Sequence, residues 1–197
     1  RLIMEKFLDL YVGKKIGFVG AGVSNLPIIE LFLKEGINVT LRDKKDSLSV
    51  DAELINKGLR IIKGDKYLED MEEDIIFLSP ALRPDLPEFT KARESGVLIT
   101  TELEEFLKHC PCTTIGITGS DGKTTTSTLC AKLLETSGKK VYLGGNIGEN
   151  LFVKLSDIKE TDFAVIEISS FQLMKMSQKP DISIITNISP NHLDWHT

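Results

Sequence analysis

Only three cysteines, Cys110, Cys112 and Cys130, occur in 197 residues. They are too few and too unevenly spaced for a disulfide framework, and Cys-x-Cys without a second pair is a poor zinc pattern. No stretch approaches the roughly 18 apolar residues of a membrane span, and the opening Arg1-Leu2-Ile3-Met4-Glu5-Lys6 lacks the apolar run of a secretory signal. Positive charge is also short. Lys and Arg number 24 against 29 Asp and Glu, a formal charge of −5, which leaves no broad cationic surface for a nucleic-acid backbone. A disulfide-stapled domain, a membrane span and a nucleic-acid partner are thereby excluded, and a reducing cytoplasm is the expected compartment.

Apolar residues make up 41% of the chain, enough to bury a core, and they fall in alternating strand-like and helix-like segments. Lys15 to Gly20 reads as a buried strand, followed by a Gly-rich turn and a helix from Ser24 to about Lys34. Gly36 stops that helix, and Ile37 to Arg42 forms the next strand with Asp43 at its end, completing a βαβ unit. Leu59 to Lys63, Ile75 to Ser79 and Val97 to Thr100 continue the strands, with helices near Ala52 to Lys57 and Pro87 to Glu94. After the amphipathic segment Thr101 to His109, Pro111 forbids helical continuation and marks a boundary. A second series follows: strands at Thr113–Thr118, Lys140–Leu143, Phe163–Ile168 and Ile182–Thr186, and a helix from Lys123 to about Ser137 carrying Leu129, Leu133 and Leu134 on one side. The expected fold class is α/β with parallel sheets, in two domains, 1–110 and 111–197, the second incomplete where the chain stops just after a strand.

The strongest chemical signal is Gly119-Ser120-Asp121-Gly122-Lys123-Thr124-Thr125, lying between a buried strand and a helix. Glycines let backbone N–H groups turn toward phosphate, the helix start adds positive potential, the lysine reaches the β and γ oxygens, and a hydroxyl can hold magnesium. The longer GxxxxGK[ST] pattern would need glycine at 117, where the chain has Ile117, so the match is to the shorter GxxGK[ST] form, with ATP its natural ligand. Downstream, Glu167 and the pair His192 and Asp194 follow successive strands. In an open α/β sheet the carboxyl ends of strands converge, so Glu167 and His192 are candidates to meet Thr124 around Mg2+. In the first domain, Gly20-Ala21-Gly22-Val23-Ser24-Asn25 supplies two glycines of a dinucleotide fingerprint but has Asn25 in the third position, and Asp43 lies 21 residues beyond Gly22. A dinucleotide site, another nucleotide diphosphate and a plain tight turn all remain open there. Ser79 borders the same crevice.

Taken together, the loop at 119–125, Gly144-Gly145-Asn146-Ile147-Gly148, Glu167-Ile168-Ser169-Ser170-Phe171-Gln172-Leu173 and Asn187-Ile188-Ser189-Pro190-Asn191-His192-Leu193-Asp194 resemble the central-domain motifs of the Mur ligases. The resemblance runs in the right order along essentially the whole chain. It implies a Rossmann-like first domain that binds a UDP-sugar and a P-loop domain that binds ATP, and peptidoglycan-precursor synthesis by ATP-dependent amide formation. Within the family, the Ser-Ser-Phe-Gln-Leu run points to addition of D-glutamate to UDP-N-acetylmuramoyl-L-alanine. On that carry-over Lys123, Glu167 and His192 are catalytic; Gly119 to Thr125 bind ATP; and Thr124, Glu167 and His192 hold magnesium. Gly20, Ala21, Gly22, Val23, Ser24, Asp43, Ser79, Asn146 and Ser169 would contact the UDP-substrate. Two departures stand out. Asp121 replaces the asparagine of many members, and its carboxylate would repel a phosphate. The family also has a carbamylated lysine beyond the histidine motif and a third domain, so the chain is expected to be a fragment. An NAD-linked oxidoreductase leaves Lys123 unexplained, a P-loop switch would hydrolyse nucleotide without any UDP-sugar, and folylpolyglutamate synthetase has no place for a UDP-binding domain.

Overall fold

The computed structural model describes residues 7–190, and the chain divides into two compact units, 1–105 and 106–197. The first unit runs β1 (Lys15–Val19), α1 (Leu26–Lys34), β2 (Asn38–Asp43), α2 (Ala52–Asn56), β3 (Arg60–Lys63), β4 (Ile75–Leu78), α3 (Pro87–Glu94) and β5 (Leu98–Thr100). Its strands pair in parallel in the order β3-β2-β1-β4-β5. The chain steps outward from β1 to one edge, then returns to the other side of β1 for β4. That reversal opens a crevice where the loops leave the carboxyl ends of β1 and β4. Burial explains the strand sequences: β4 is buried at every residue and β1 at all but Lys15, and strands covered on both faces read as continuous apolar runs. Pro27 and Pro87 stand in the first turns of α1 and α3, where a missing N–H costs no helical bond.

Two features hold this unit together. Phe18, Phe32 and Phe77 are fully buried; Phe18 stacks on Phe77 with centroids 4.9 Å apart, and Phe32 meets Phe77 edge-on at 5.9 Å. Each such ring contributes about 2–3 kcal/mol relative to exposure. Tyr11 joins them and donates its hydroxyl to Glu105 at 2.7 Å. Burial first, then the Glu105 charge, pushes that hydroxyl above its ordinary range. The second feature is a buried ion pair, Arg42 Nε to Glu73 Oε1 at 2.7 Å. The other guanidinium N–H groups reach the carbonyls of Tyr67, Glu69 and Asp70 and the second Glu73 oxygen. Burying two charges is tolerable only because every donor is engaged. The return is a fixed 67–73 segment beside Asp43.

Helix α4 (Glu102–His109) crosses the division between the units, and the second unit continues with β6 (Thr113–Thr118), α5 (Lys123–Thr136), β7 (Val141–Gly145), a 3-10 turn at Phe152–Lys154, β8 (Phe163–Glu167), α6 (Ser170–Leu173) and β9 (Ile182–Ile185). The strand order is β7-β8-β6-β9, again parallel throughout. Thr114 fastens the start of β9 to β6: its N–H and hydroxyl both donate to Asp181 Oδ2, at 2.8 and 2.7 Å. These bonds hold the Asp181 carboxyl below the usual carboxylate range.

One expected packing face is corrected. Leu129 and Leu133 are 57% and 59% exposed, and only Leu134 of the three leucines packs on the core of Ile115, Ile117 and Val165. The inward stripe of α5 is Ser127, Cys130, Ala131 and Leu134, a helical i, i+3, i+4, i+7 set. At about 100° per residue, Leu129 and Leu133 lie roughly 150° and 110° from the centre of that stripe, and so face outward.

Candidate functional site

The loop from β6 into α5 turns through Gly119, φ 140°, and Gly122, φ 77°, both outside the range of ordinary L-residues. At Gly119 the need is doubled, because a Cβ would overlap the Thr186 hydroxyl and stand 3.0–3.1 Å from the Asn187 backbone. Lys123, the first residue of α5, folds back so that Nζ donates to the carbonyls of Gly119 at 2.6 Å and Ser120 at 3.0 Å. Its ammonium is thereby held over the loop. The amides of Lys123, Thr124 and Thr125 have no intrahelical acceptors, as at every helix start, and the helix dipole adds positive potential there.

Beside the loop, Glu167 ends β8 and is 2% exposed. Thr124 Oγ1 donates to its Oε2 at 2.8 Å, and Asn146 Nδ2 donates to its Oε1 at 3.0 Å. Asn146 is itself anchored, its N–H donating to the Glu167 carbonyl at 2.8 Å. Both carboxylate oxygens therefore meet neutral donors, and none of the ion pairs among the described residues involves Glu167. A buried carboxylate without a cationic partner beside a hydroxyl is a donor set suited to a hard divalent cation, which takes its remaining oxygens from phosphate and water. Among the described residues no three His, Cys, Asp or Glu side chains gather around a single point. His192 and Asp194 lie outside the described residues.

Just past β9, Thr186 stands in the sequence reading only as a strand end, and Asn187 and Ser189, which stand in one of the motifs quoted above, have no role of their own there; the structure brings all three onto the loop. The Asp121 N–H donates to Asn187 Oδ1 at 3.0 Å, and the Asp121 carbonyl accepts from Asn187 Nδ2 at 3.0 Å and from the Thr186 hydroxyl at 2.6 Å. Ser120 Oγ donates to the Ser189 carbonyl at 2.8 Å and accepts from the Ser189 N–H at 2.9 Å. The phosphate-type loop is thus latched by a segment more than 60 residues away. The exposed Asp121 takes part through its backbone, so its carboxylate is not required to face an anion. Lys123, Asn146, Ser169 and Asn187 line one cavity of about 470 Å³ over this loop. Ser169 there caps α6 in a reciprocal pair with Gln172, its N–H and hydroxyl both donating to Gln172 Oε1.

In the first unit, Gly20 to Asn25 leaves β1 beside Ser79. Asp43, at the end of β2, accepts the Ala21 N–H at 2.9 Å and the Lys45 N–H at 2.8 Å, so its carboxylate shapes the turn. Asn25, in the third glycine's place, is fully buried and donates to the carbonyls of Gly20 at 2.8 Å and Val19 at 3.3 Å. Its amide ties the turn to the strand. Gly20, φ 93°, is the glycine with no room, since a Cβ would come 2.8 Å from Ser79 Cβ. The nearest atom to a Cβ on Gly22 is Ser79 Oγ at 3.5 Å, an ordinary contact, so the protein itself does not demand glycine there. Val23 is 89% exposed.

Comparison with known proteins bears on both units. Residues 117–197 match the family described as Mur ligase middle domain. The chain is 50% identical over 98% of its length to a UDP-N-acetylmuramoylalanine--D-glutamate ligase of Clostridium botulinum, and 47% identical to that of Clostridium novyi. It spans 43% of the length of these curated relatives. Among solved structures, UDP-N-acetylmuramate-alanine ligase MurC from Thermotoga maritima aligns with 92% of this chain and 43% of its own, TM-score 0.52, at 25% identity. UDP-N-acetylmuramate:L-alanyl-gamma-D-glutamyl-meso-diaminopimelate ligase from Neisseria meningitides aligns with 91% of this chain and 62% of its own, TM-score 0.54, at 18% identity, a likeness of fold.

Proposed function

We propose that this chain, whose residues 117–197 match the Mur ligase middle domain, carries the nucleotide-handling units of an ATP-dependent ligase that adds D-glutamate to UDP-N-acetylmuramoyl-L-alanine. The observation that carries the reading is the arrangement of Lys123, Thr124, Asn146 and Glu167 around one loop, supported by 50% identity to D-glutamate ligases over almost the whole chain. Residues 1–110 take the UDP-sugar through the turn at Gly20–Ser24 with Asp43 and Ser79; residues 111–197 take ATP on the loop at 119–125. No helix among the described residues is long and apolar enough to cross a membrane, and we assign the chain to the cytoplasm, where its nucleotide substrates are available.

In the reaction, the substrate carboxylate attacks the γ-phosphate of ATP and ADP leaves; the amine of D-glutamate then attacks the acyl phosphate, forming the amide with loss of a proton and expelling inorganic phosphate. Positioning and charge neutralisation are what phosphoryl transfer asks of a protein. The Lys123 ammonium faces the transferring phosphoryl, and the free amides at the start of α5 hold the neighbouring oxygens. Thr124 and Glu167 would hold magnesium, which supplies charge neutralisation between the phosphates. Asn146 keeps the Glu167 carboxylate oriented and reaches substrate from the cavity wall. His192, which lies outside the described residues, would be a further ligand on the resemblance alone.

Two measurements test it. Glu167→Gln keeps the shape of the side chain and removes its charge, so the magnesium needed for half-maximal activity in a ligase of the relatives' full length rises about tenfold, the order expected for loss of one charged ligand group. An unchanged magnesium dependence would make Glu167 a structural carboxylate. For the first unit, calorimetric titration of residues 1–197 with UDP-N-acetylmuramoyl-L-alanine gives saturable binding. Asp43→Ala, by releasing the Ala21 amide, weakens it by roughly one to two orders of magnitude, in line with a charge-assisted hydrogen bond of about 1.5–3 kcal/mol. If the uridine nucleotide fails to bind while ATP affinity falls in that variant, the two nucleotide sites must be exchanged.

A further inference from the structure

Cys110 and Cys112 have no part in the ligation chemistry, yet their sulfurs converge to 3.5 Å across Pro111, between α4 and β6. We propose that Cys110-Pro111-Cys112 is a reversible dithiol–disulfide site that reacts with small-molecule disulfides, Cys110 attacking and Cys112 resolving. The separation is about 1.5 Å more than the roughly 2.05 Å of a disulfide bond, a gap that side-chain rotation over one intervening residue can close. The order of attack follows from exposure and charge. Cys110 is half-buried and Cys112 is 5% exposed, so an incoming disulfide reaches Cys110 first. The two thiols share a hydrogen bond in which either sulfur can donate; with Cys112 as donor it holds the Cys110 thiol below its ordinary range, against burial, and with burial pushes Cys112 up. Cys110 is therefore the better source of thiolate, the form that attacks.

The chemistry balances without a metal. Cys110 thiolate attacks one sulfur of the small disulfide, forming a mixed disulfide and releasing one small thiolate. Cys112, losing its proton, then attacks the Cys110 sulfur and releases the second. Two protein thiols are oxidised, one small disulfide is reduced to two thiols, and the two protons pass to the departing thiolates. Because only one residue separates the cysteines, closure removes little freedom from the unfolded chain and adds little stability. Such a bond serves reversible exchange rather than stapling. Its place is telling: the pair immediately precedes β6, whose other end is the phosphate loop. Cys130, also half-buried, lies on the inward stripe of α5 and provides an internal control.

The test is treatment of folded residues 1–197 with oxidised glutathione, followed by alkylation, intact mass and peptide mapping. The expected result is a loss of about 2 Da, the two hydrogens of the oxidised thiols, mapped to the peptide containing Cys110 and Cys112 and reversed by dithiothreitol. Cys112→Ser accumulates a glutathione adduct on Cys110 in place of the loss, and Cys130→Ser behaves as the parent. Full alkylation of Cys110 and Cys112 after treatment, or a persistent adduct on either in the parent protein, overturns the proposal. So does oxidation confined to Cys130.

Discussion

On the function proposed above, Lys123→Ala in a ligase of the relatives' full length is expected to lower acyl-phosphate formation about 100-fold or more, the usual consequence of removing a preorganised charge stabiliser, while affinity for UDP-N-acetylmuramoyl-L-alanine stays near that of the parent. The split follows from location: the ammonium rests on the carbonyls of Gly119 and Ser120 in the second unit, whereas the UDP-sugar is assigned to the turn of the first. Those two bonds are also lost, but each contributes only about 1 kcal/mol to stability, so the loop, already latched by Asn187 and Ser189, keeps its fold. Single-turnover phosphate release, with calorimetry of the UDP-sugar alongside, separates the effects. Parent-like turnover would remove the loop from the reaction. A parallel loss of UDP-sugar affinity would mean that Lys123 serves binding of both substrates.

Gly119→Ala has the larger effect on structure. Its φ of 140° is one that an L-residue adopts only under strain, and the new methyl would meet the Thr186 hydroxyl and the Asn187 backbone. Strain in such a region costs about 1–3 kcal/mol, and forcing a methyl into a filled space costs about as much again, so the loop and its latch part rather than accommodate it. Native-state hydrogen exchange is expected to show the Ser120 and Asp121 amides, now bonded to Asn187, losing protection well before the strand amides of β6 and β8. On the proposed function, ATP turnover in a ligase of the relatives' full length falls with them. If the amides stayed protected and turnover persisted, the loop would have more room than its contacts indicate. Thr186→Ala, which empties the space the methyl enters, should restore part of the loss in the double variant; this distinguishes crowding from backbone strain.

Local pattern carried most of the element boundaries. The apolar runs of β4, β6 and β8 declare strands buried on both faces, and α3 and β6 begin and end where the sequence places them, because Pro87 can only open a helix and the turn at Gly119 can only follow a strand. The meeting of Thr124 with Glu167 is also expected from the sequence, since a hydroxyl at a Gly-rich helix start and an acid at the end of a neighbouring strand converge at the carboxyl edge of a parallel sheet. Three things were not legible locally. Asn25 looks like a defect in a glycine fingerprint until its buried amide is seen bonding Gly20 and Val19. Leu129 and Leu133 look like a core face until Ser127 and Ala131 are found against the sheet instead. The latch made by Thr186, Asn187 and Ser189 has no local signal, because their partners are Ser120 and Asp121, more than 60 residues earlier.

The sequence by itself determined the alternation of strands and helices, the parallel α/β class and the place of the Gly-rich loop between β6 and α5, since each depends on residues within a few positions of one another. The tertiary structure alone decided the strand orders, the inward face of α5, the demand for glycine at 20 rather than 22, the bond from Asp43 to the turn and the latch that holds the loop. The physical reason is sequence distance: Asp121 and Asn187 are 66 residues apart and Ala21 and Asp43 are 22 apart. A hydrogen bond between such residues leaves no periodicity along the chain and exists only once the parallel sheet has brought the ends of different strands side by side.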